Sequence, residues 1–334
     1  MSVVSIGDMA RQFTSLRNGN AIKTELAELV DSLSSGKVAD LTKNLDGETA
    51  RFSGIRYSLA QLDGYGQIAS ETLQTLANVQ IILGKVDSAR GATAERLLLV
   101  NDTSTSTQID EAALASRSAF EDMVLALNTQ VADRALMGGT RVGNAPLASG
   151  TAMLTDLQAA IGGAVDQATI SAVVASWFND PAGGFATLGY QGDTGALLER
   201  RVSESRTVTL NARADDPAIR DVLKGAALAA LANDLPGLSR ETKSSLLQEA
   251  AAGLYGAASD LVAVQARVGF AEAGVERALT ETNAQQTALQ MAQNDLSLAD
   301  PFETASRIQA TQVQLETFFS LTARMSQLSL LRYI

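Results

Sequence analysis

The chain has 334 residues, 26 Lys and Arg against 37 Asp and Glu, a formal net charge of −11, and neither Cys nor His. Those absences exclude disulfides, thiolate-bound zinc and thiol nucleophiles, and they remove the usual general base and commonest transition-metal ligand. The acidic balance argues against a nucleic-acid binder, and 55 alanines with only 4% aromatic residues predict thin helical layers, not a thick globular core.

Taken in order, the opening Met1-Ser2-Val3-Val4-Ser5-Ile6-Gly7-Asp8 lacks the basic flank and apolar stretch of a cleaved secretion signal. Nowhere does an apolar run approach the roughly 20 residues needed to span a bilayer. From Met9 to Leu33 apolar residues recur at helical spacing: Met9, Phe13 and Leu16, then Ile22, Leu26, Leu29 and Leu33. The second group sits one position off a heptad continuation of the first, and Arg17-Asn18-Gly19-Asn20 is expected to loosen the helix there. Ser34-Ser35-Gly36-Lys37 reads as a helix exit and Asp46-Gly47 as a turn.

A second helix is expected from Thr49 to Asn101, with Gly64-Tyr65-Gly66 as a point of interruption. The Thr/Ser run 103–107 breaks it. Thr107 with Asp110 resembles a capping box for a helix from Gln108 to Met137, which Gly138-Gly139 ends. Residues 138–216 are richer in paired glycines and hold the single Trp177. Thr151–Phe178 reads as one or two helices, and 197–202 with 207–210 as a β-hairpin. Asp216-Pro217 starts a helix to Asn233, and Leu235-Pro236-Gly237 turns the chain. Ser239 then caps a helix that would run to Leu298, ~90 Å at 1.5 Å per residue, with 49–137 as its partner. Asp300-Pro301-Phe302-Glu303 starts a final amphipathic helix to Ile334.

No chemical motif survives inspection: there is no GxGxxG, no complete phosphate-binding loop, no GxSxG and no HExxH. The pairs Asp215-Asp216 and Glu272/Glu276 could hold a divalent cation, but a helix cap and a solvated helix face account for them. Tyr65, Tyr190 and Trp177 read as local core. The expectation is no catalytic residue, no cofactor and no metal.

The informative pattern is global: helices at both ends, long helices inside them, and a Gly-rich insert with strand character innermost. The fold class is therefore mainly α, an elongated antiparallel helical hairpin or bundle formed by both termini, with a small α+β insert. Its expected parts are a terminal coiled-coil assembly domain (1–35 plus 300–334), a long-helix rod (36–137 plus 239–299) and the insert (138–238). Two paired helices cannot cover both their stripes, so the remaining apolar surface is expected to meet neighbouring subunits. The alternative is an autonomous bundle whose stripes bury each other.

The run Ser297-Leu298-Ala299-Asp300-Pro301-Phe302-Glu303-Thr304-Ala305, continuing through Thr311-Gln312-Val313-Gln314-Leu315-Glu316 to Leu328-Ser329-Leu330-Leu331-Arg332-Tyr333-Ile334, resembles the tail of the bacterial flagellin superfamily. Within it, the chain is most similar to hook–filament junction proteins, the third hook-associated proteins of FlgL type. Leu26–Leu33 leading into Ser34-Ser35-Gly36-Lys37 resembles the family's first helix and its exit, and Gly189-Tyr190-Gln191-Gly192-Asp193 a turn that opens its variable domain. The resemblance covers residues 1–140 and 240–334. The chain departs from it at Lys43-Asn44-Leu45-Asp46-Gly47, where many relatives carry Asp-Asp-Pro, and Arg332 stands where relatives often have Asn. Tyr333-Ile334, beyond Leu330-Leu331-Arg332, is similar to junction proteins and unlike filament subunits.

The resemblance implies a structural subunit exported through the flagellar type III channel to the outside of the cell, without a cleaved signal. Implied partners are copies of itself, an adjacent hook-associated protein, flagellin, and an export chaperone at the C-terminal helix, with no nucleic acid and no membrane. Interface positions expected from the stripes are Met9, Phe13, Leu16, Leu26 and Leu33 at the start and Leu315, Phe319, Met325, Leu328 and Leu331 at the end. Two alternatives stand beside this: a filament-forming flagellin, and an enzyme or ligand-binding protein that uses the insert.

Overall fold

The structure is a computed structural model that describes residues 6–41, 45, 49–195 and 197–330, without the side chains of 6–8, 11 and 326–330. The expected Asp46-Gly47 turn and the Tyr333-Ile334 end lie outside the described residues. The chain is mainly α with two small antiparallel hairpins. In order, α1 spans Ile6–Ser35, α2 Thr49–Leu98, α3 Ser106–Leu127, β1 Gln130–Val131, β2 Arg134–Ala135, α4 Gly150–Ile161 and α5 Gln167–Asn179. A π-turn follows at Phe185–Gly189, then β3 Leu198–Arg201, β4 Thr207–Leu210, α6 Pro217–Asp234, α7 Arg240–Gly256, α8 Ala258–Ser297 and α9 Pro301–Leu330. Two compact units result, one of residues 1–63 and 284–334, the other of 64–283.

The 64–283 unit is built around α6. Asp216 caps this helix by accepting from the Ala218 N–H (3.1 Å), and Pro217 occupies the first turn, as the dipeptide predicts. Ala218, Ile219, Val222, Leu223 and the run Gly225–Ala232 are all buried, so α6 is apolar on every face from Gly225 to Ala232 and serves as a core helix. This corrects the expectation that alanine precludes a thick core. Small side chains instead let α3, α5 and α7 close on one central helix, and one continuous cluster of buried residues runs from Ala69 to Ala278. Gly225 shows how tight the approach is, since a Cβ there would lie 2.9 Å from Leu254 Cγ.

Around that centre, α2 buries Ala69, Thr72, Leu76, Val79, Leu83, Val86, Thr93 and Leu97, a 3-4 spacing; α8 repeats it with Leu261, Val264, Val268, Val275 and Ala278. Gln80 Nε2 donates to Gln265 O (2.8 Å) and Arg90 Nη1 to Leu254 O (3.1 Å), which sets the two chain segments antiparallel. Gly64-Tyr65-Gly66 does not interrupt α2: a helix tolerates an interior glycine at a cost of ~1 kcal/mol each, and packing at the following residues outweighs it.

Three boundaries differ from expectation. The capping box is Thr105 with Gln108, two residues earlier than Thr107 with Asp110. α3 ends at Leu127, not Met137, because Asn128 turns aside to exchange hydrogen bonds with the Leu147 backbone (2.8 and 2.9 Å) and the chain then forms the β1–β2 hairpin. The expected single helix 239–298 breaks at Gly256-Ala257 into α7 and α8. The hairpin at 197–210 is present as β3–β4, with Leu198 opposite Leu210 and Arg201 opposite Thr207.

The insert's aromatic residues form local core, as expected. Trp177 meets Phe178 edge-on at 4.7 Å and donates its Nε1–H to Asp156 (2.7 Å). Tyr190 is buried, donates to Asp193 O (3.1 Å), and burial raises its phenol well above the ordinary value.

Candidate assembly surface of the paired terminal helices

In the unit formed by 1–63 and 284–334, α1 and α9 pair antiparallel. At one end of the pair, Gly36 leaves α1 with φ +70°. There Val38 N–H donates to Ser297 O (3.0 Å) and Ala299 N–H to Gly36 O (3.1 Å), forming a short backbone bridge. Ser32 Oγ holds the exit by accepting from Ala39 N–H (2.9 Å). α9 starts on its expected cap, Asp300 accepting from the N–H groups of Phe302 (2.8 Å) and Glu303 (3.1 Å).

Burial along the pair follows a heptad. On α1 the inward positions are Gly19, Ile22, Leu26, Leu29 and Ser32; on α9 they are Thr304, Ile308, Thr311, Leu315 and Phe318. Two charged contacts flank this seam: Arg307 lies 3.7 Å from Glu25, and Lys23 Nζ stands 5.4 Å above the Phe319 ring. Exposed ion pairs of this sort contribute little, so the seam depends mainly on its apolar residues and on the bridge.

The expected interface positions divide into three groups. Leu26 and Leu315 are half-buried in the seam itself. Met9, Phe13, Leu16, Leu33, Phe319 and Met325 are exposed, Phe13 at 72% and Met9 and Met325 at 62% each. Leu331 and the side chain of Leu328 lie outside the described residues. The reason for the exposure of the first three is visible in the spacing. Continuing Met9, Phe13 and Leu16 along a heptad leads to positions 20 and 23, whereas the seam uses 19 and 22. The stripe therefore lies one residue, about 100° of helix rotation, off the seam. α1 is nevertheless continuous through Arg17–Asn20, so the expected loosening is corrected: the stripe rotates while the helix persists.

Val30 on α1 and Phe302, Val313 and Leu321 on α9 add further exposed apolar side chains beyond the ten expected interface positions. Their signal was present as the second face of each helix, masked by the more regular inward stripe. Thr304 and Thr311 were missed because threonine seldom marks a seam.

Elsewhere the Asp215-Asp216 pair is engaged. Asp215 pairs with Arg213 (2.9 Å), and Asp216 both caps α6 and pairs with Arg267 (2.5 Å). Burial holds the Asp215 carboxyl above its ordinary value despite Arg213. Among the described residues there is no group of three or more acidic side chains placed to hold a metal, and no helix long and apolar enough to cross a membrane. A cleft of about 220 Å³ in the 64–283 unit is walled by α2 and the two hairpins, and Glu71 is the single carboxylate lining it.

Residues 252–334 match the family model described as the bacterial flagellin C-terminal helical region. Over that quarter of the chain the sequence is similar to the C-terminal region of bacterial flagellins. In fold it is similar to FlgL of Bacillus cereus, at 12% identity and a TM-score of 0.52, over 72% of this chain and 98% of that one. It is likewise similar to a Vibrio parahaemolyticus structure described as a flagellar hook-associated protein, at 11% identity and a TM-score of 0.54, over 75% of this chain and 99% of that one. At these identities the likeness establishes the fold. No curated protein matches in sequence.

Proposed function

We propose that the protein is a structural subunit of the bacterial flagellum, the adaptor between hook and filament. The observation that carries the reading is the pair of terminal helices: α1 and α9 bury one seam and leave a second apolar face in water, and α9 lies in the segment that matches the flagellin C-terminal model. A single helix pair is too thin to enclose both faces, and a second copy supplies the missing cover. The fold shared with FlgL of Bacillus cereus supports the junction in particular. The ten interface positions belong to this proposal, and so do a hook-associated protein on one side, flagellin on the other, type III export and an export chaperone on α9.

Deleting the gene tests it. Flagellin shed into the medium from cells that keep their hooks is the expected result, and intact filaments would refute it. Because the matched family is flagellin itself, a filament subunit is the competing reading. Purified protein that polymerises unaided into long filaments would favour that one.

A further inference from the structure

A heptad seam repeats every seven residues, so on its own it does not fix one register between two antiparallel helices; sliding by one heptad re-forms the same pattern. The α1–α9 seam breaks that degeneracy at one point. Gly19 is buried, and a Cβ at that position would stand 2.8 Å from Cε1 and 3.3 Å from Cζ of Phe318. The edge of the half-buried phenyl ring occupies that space, so the ring would have to move for any larger residue at 19. Gly19 is the one glycine among the inward positions Gly19, Ile22, Leu26, Leu29 and Ser32. Shifted by one heptad, Phe318 would face Leu26 in one direction, where there is no hole, or Gln12 in the other, where α1 is polar and exposed.

Resting on the assembly reading, we propose that Phe318 and Gly19 act as a knob and a hole that fix the register of α9 on α1 within one chain. Their register in turn determines which apolar side chains come together for a second copy. The backbone bridge at Gly36–Val38 and Ser297–Ala299 holds the opposite end, about 25 Å away at 1.5 Å per residue. In antiparallel pairing, residues before Gly19 lie beside residues after Phe318. The lock thus marks where the buried seam ends and gathers Phe13 and Leu16 with Leu321 and Met325, all exposed, at the open end. The rotation of the α1 stripe at Arg17–Asn20 falls at this same place, so the change of face and the lock coincide.

The absence of cysteine makes the register directly measurable. Ala21 and Thr317 line one groove of the pair, so Ala21→Cys with Thr317→Cys, joined by a short thiol-to-thiol linker in the full-length chain, reports the native register. Ala21→Cys with Ala310→Cys or Arg324→Cys reports a slip of one heptad. The native pair is expected to cross-link within one molecule, and Gly19→Ala to reduce that yield by on the order of tenfold while a slipped pair gains. Phe318→Leu added to Gly19→Ala should restore the native yield, because a smaller knob fits a shallower hole; Phe318→Ala alone should lower it without introducing a clash. Trp177 fluorescence, reporting the other unit, should be unchanged throughout. Native-pair yield unaffected by Gly19→Ala and Phe318→Ala, or a native cross-link formed only between molecules, would overturn the lock. The cross-link reads register whether or not the protein works at the hook, so a failed lock and a failed junction role give different results.

Discussion

Phe13→Ala separates a surface that belongs to assembly from one that belongs to the monomer. Phe13 is 72% exposed, so truncating it removes little that the isolated chain buries. Surface changes of this kind stay within about 0.5 kcal/mol, and the Trp177-reported thermal transition should not move measurably. In an assembly the same ring would be covered. A phenylalanine side chain buries roughly 200 Å², of which about 145 Å² is still in water here, and at ~25 cal/mol per Å² its full burial is worth about 3.6 kcal/mol. Subtracting the methyl that alanine retains leaves about 2–3 kcal/mol per subunit, a 30- to 150-fold weaker association. Sedimentation of wild-type and variant protein across a concentration series, with the thermal transition recorded on the same samples, measures both sides. A variant that assembles as the wild type does, or one whose transition drops by several degrees, would refute the reasoning.

Gly225→Ala should destabilise the 64–283 unit by about 1–3 kcal/mol, read from the urea midpoint, because its Cβ would meet Leu254 at 2.9 Å inside a closed core. Ala132→Gly should raise the same midpoint by about 0.5–1 kcal/mol: Ala132 sits at φ 49° in the β1–β2 turn, where a Cβ is disfavoured. Thr105→Ala removes the capping box of α3 and should cost about 1 kcal/mol in the same titration. Thr140 and the Gly195 N–H hold the Asp193 carboxyl below its ordinary value of 3.8. A depressed carboxylate contributes stability above 3.8 that is lost as pH falls through the lower folded value, so Asp193→Asn should flatten the acid limb of unfolding below pH 4, followed by Trp177 fluorescence.

Features that depend on neighbours in sequence were legible. Asp216-Pro217 and Asp300-Pro301 announce helix starts through cap chemistry, the hairpin at 198–210 through its hairpin spacing and the β-branched residues of β4, and the inward stripes of α1 and α9 through their spacing. Features decided by distant partners were not. The pattern through Val131, Ala135 and Met137 is compatible with a continuing helix, and what ends α3 is Asn128 bonding to Leu147, nineteen residues on. Ala132 and Asp133 adopt positive φ without the Asn-Gly that usually advertises such a turn. Composition likewise misled at α6, since alanine buries little area per residue yet permits the close approach that gives the core its depth. At the surface, Met9, Phe13, Leu16 and Leu33 of the expected α1 positions are exposed while Leu26 lies in the seam, and the role of Gly19 lay in a ring almost three hundred residues away.

The position of α6 also governs how this protein comes into being. Its neighbours arrive from both directions along the chain, α3 about a hundred residues earlier and α7 directly afterwards, so neither flank can shelter it alone. A polypeptide delivered one end first therefore leaves one side of this helix uncovered until the later flank is present, and the core of this unit closes only then.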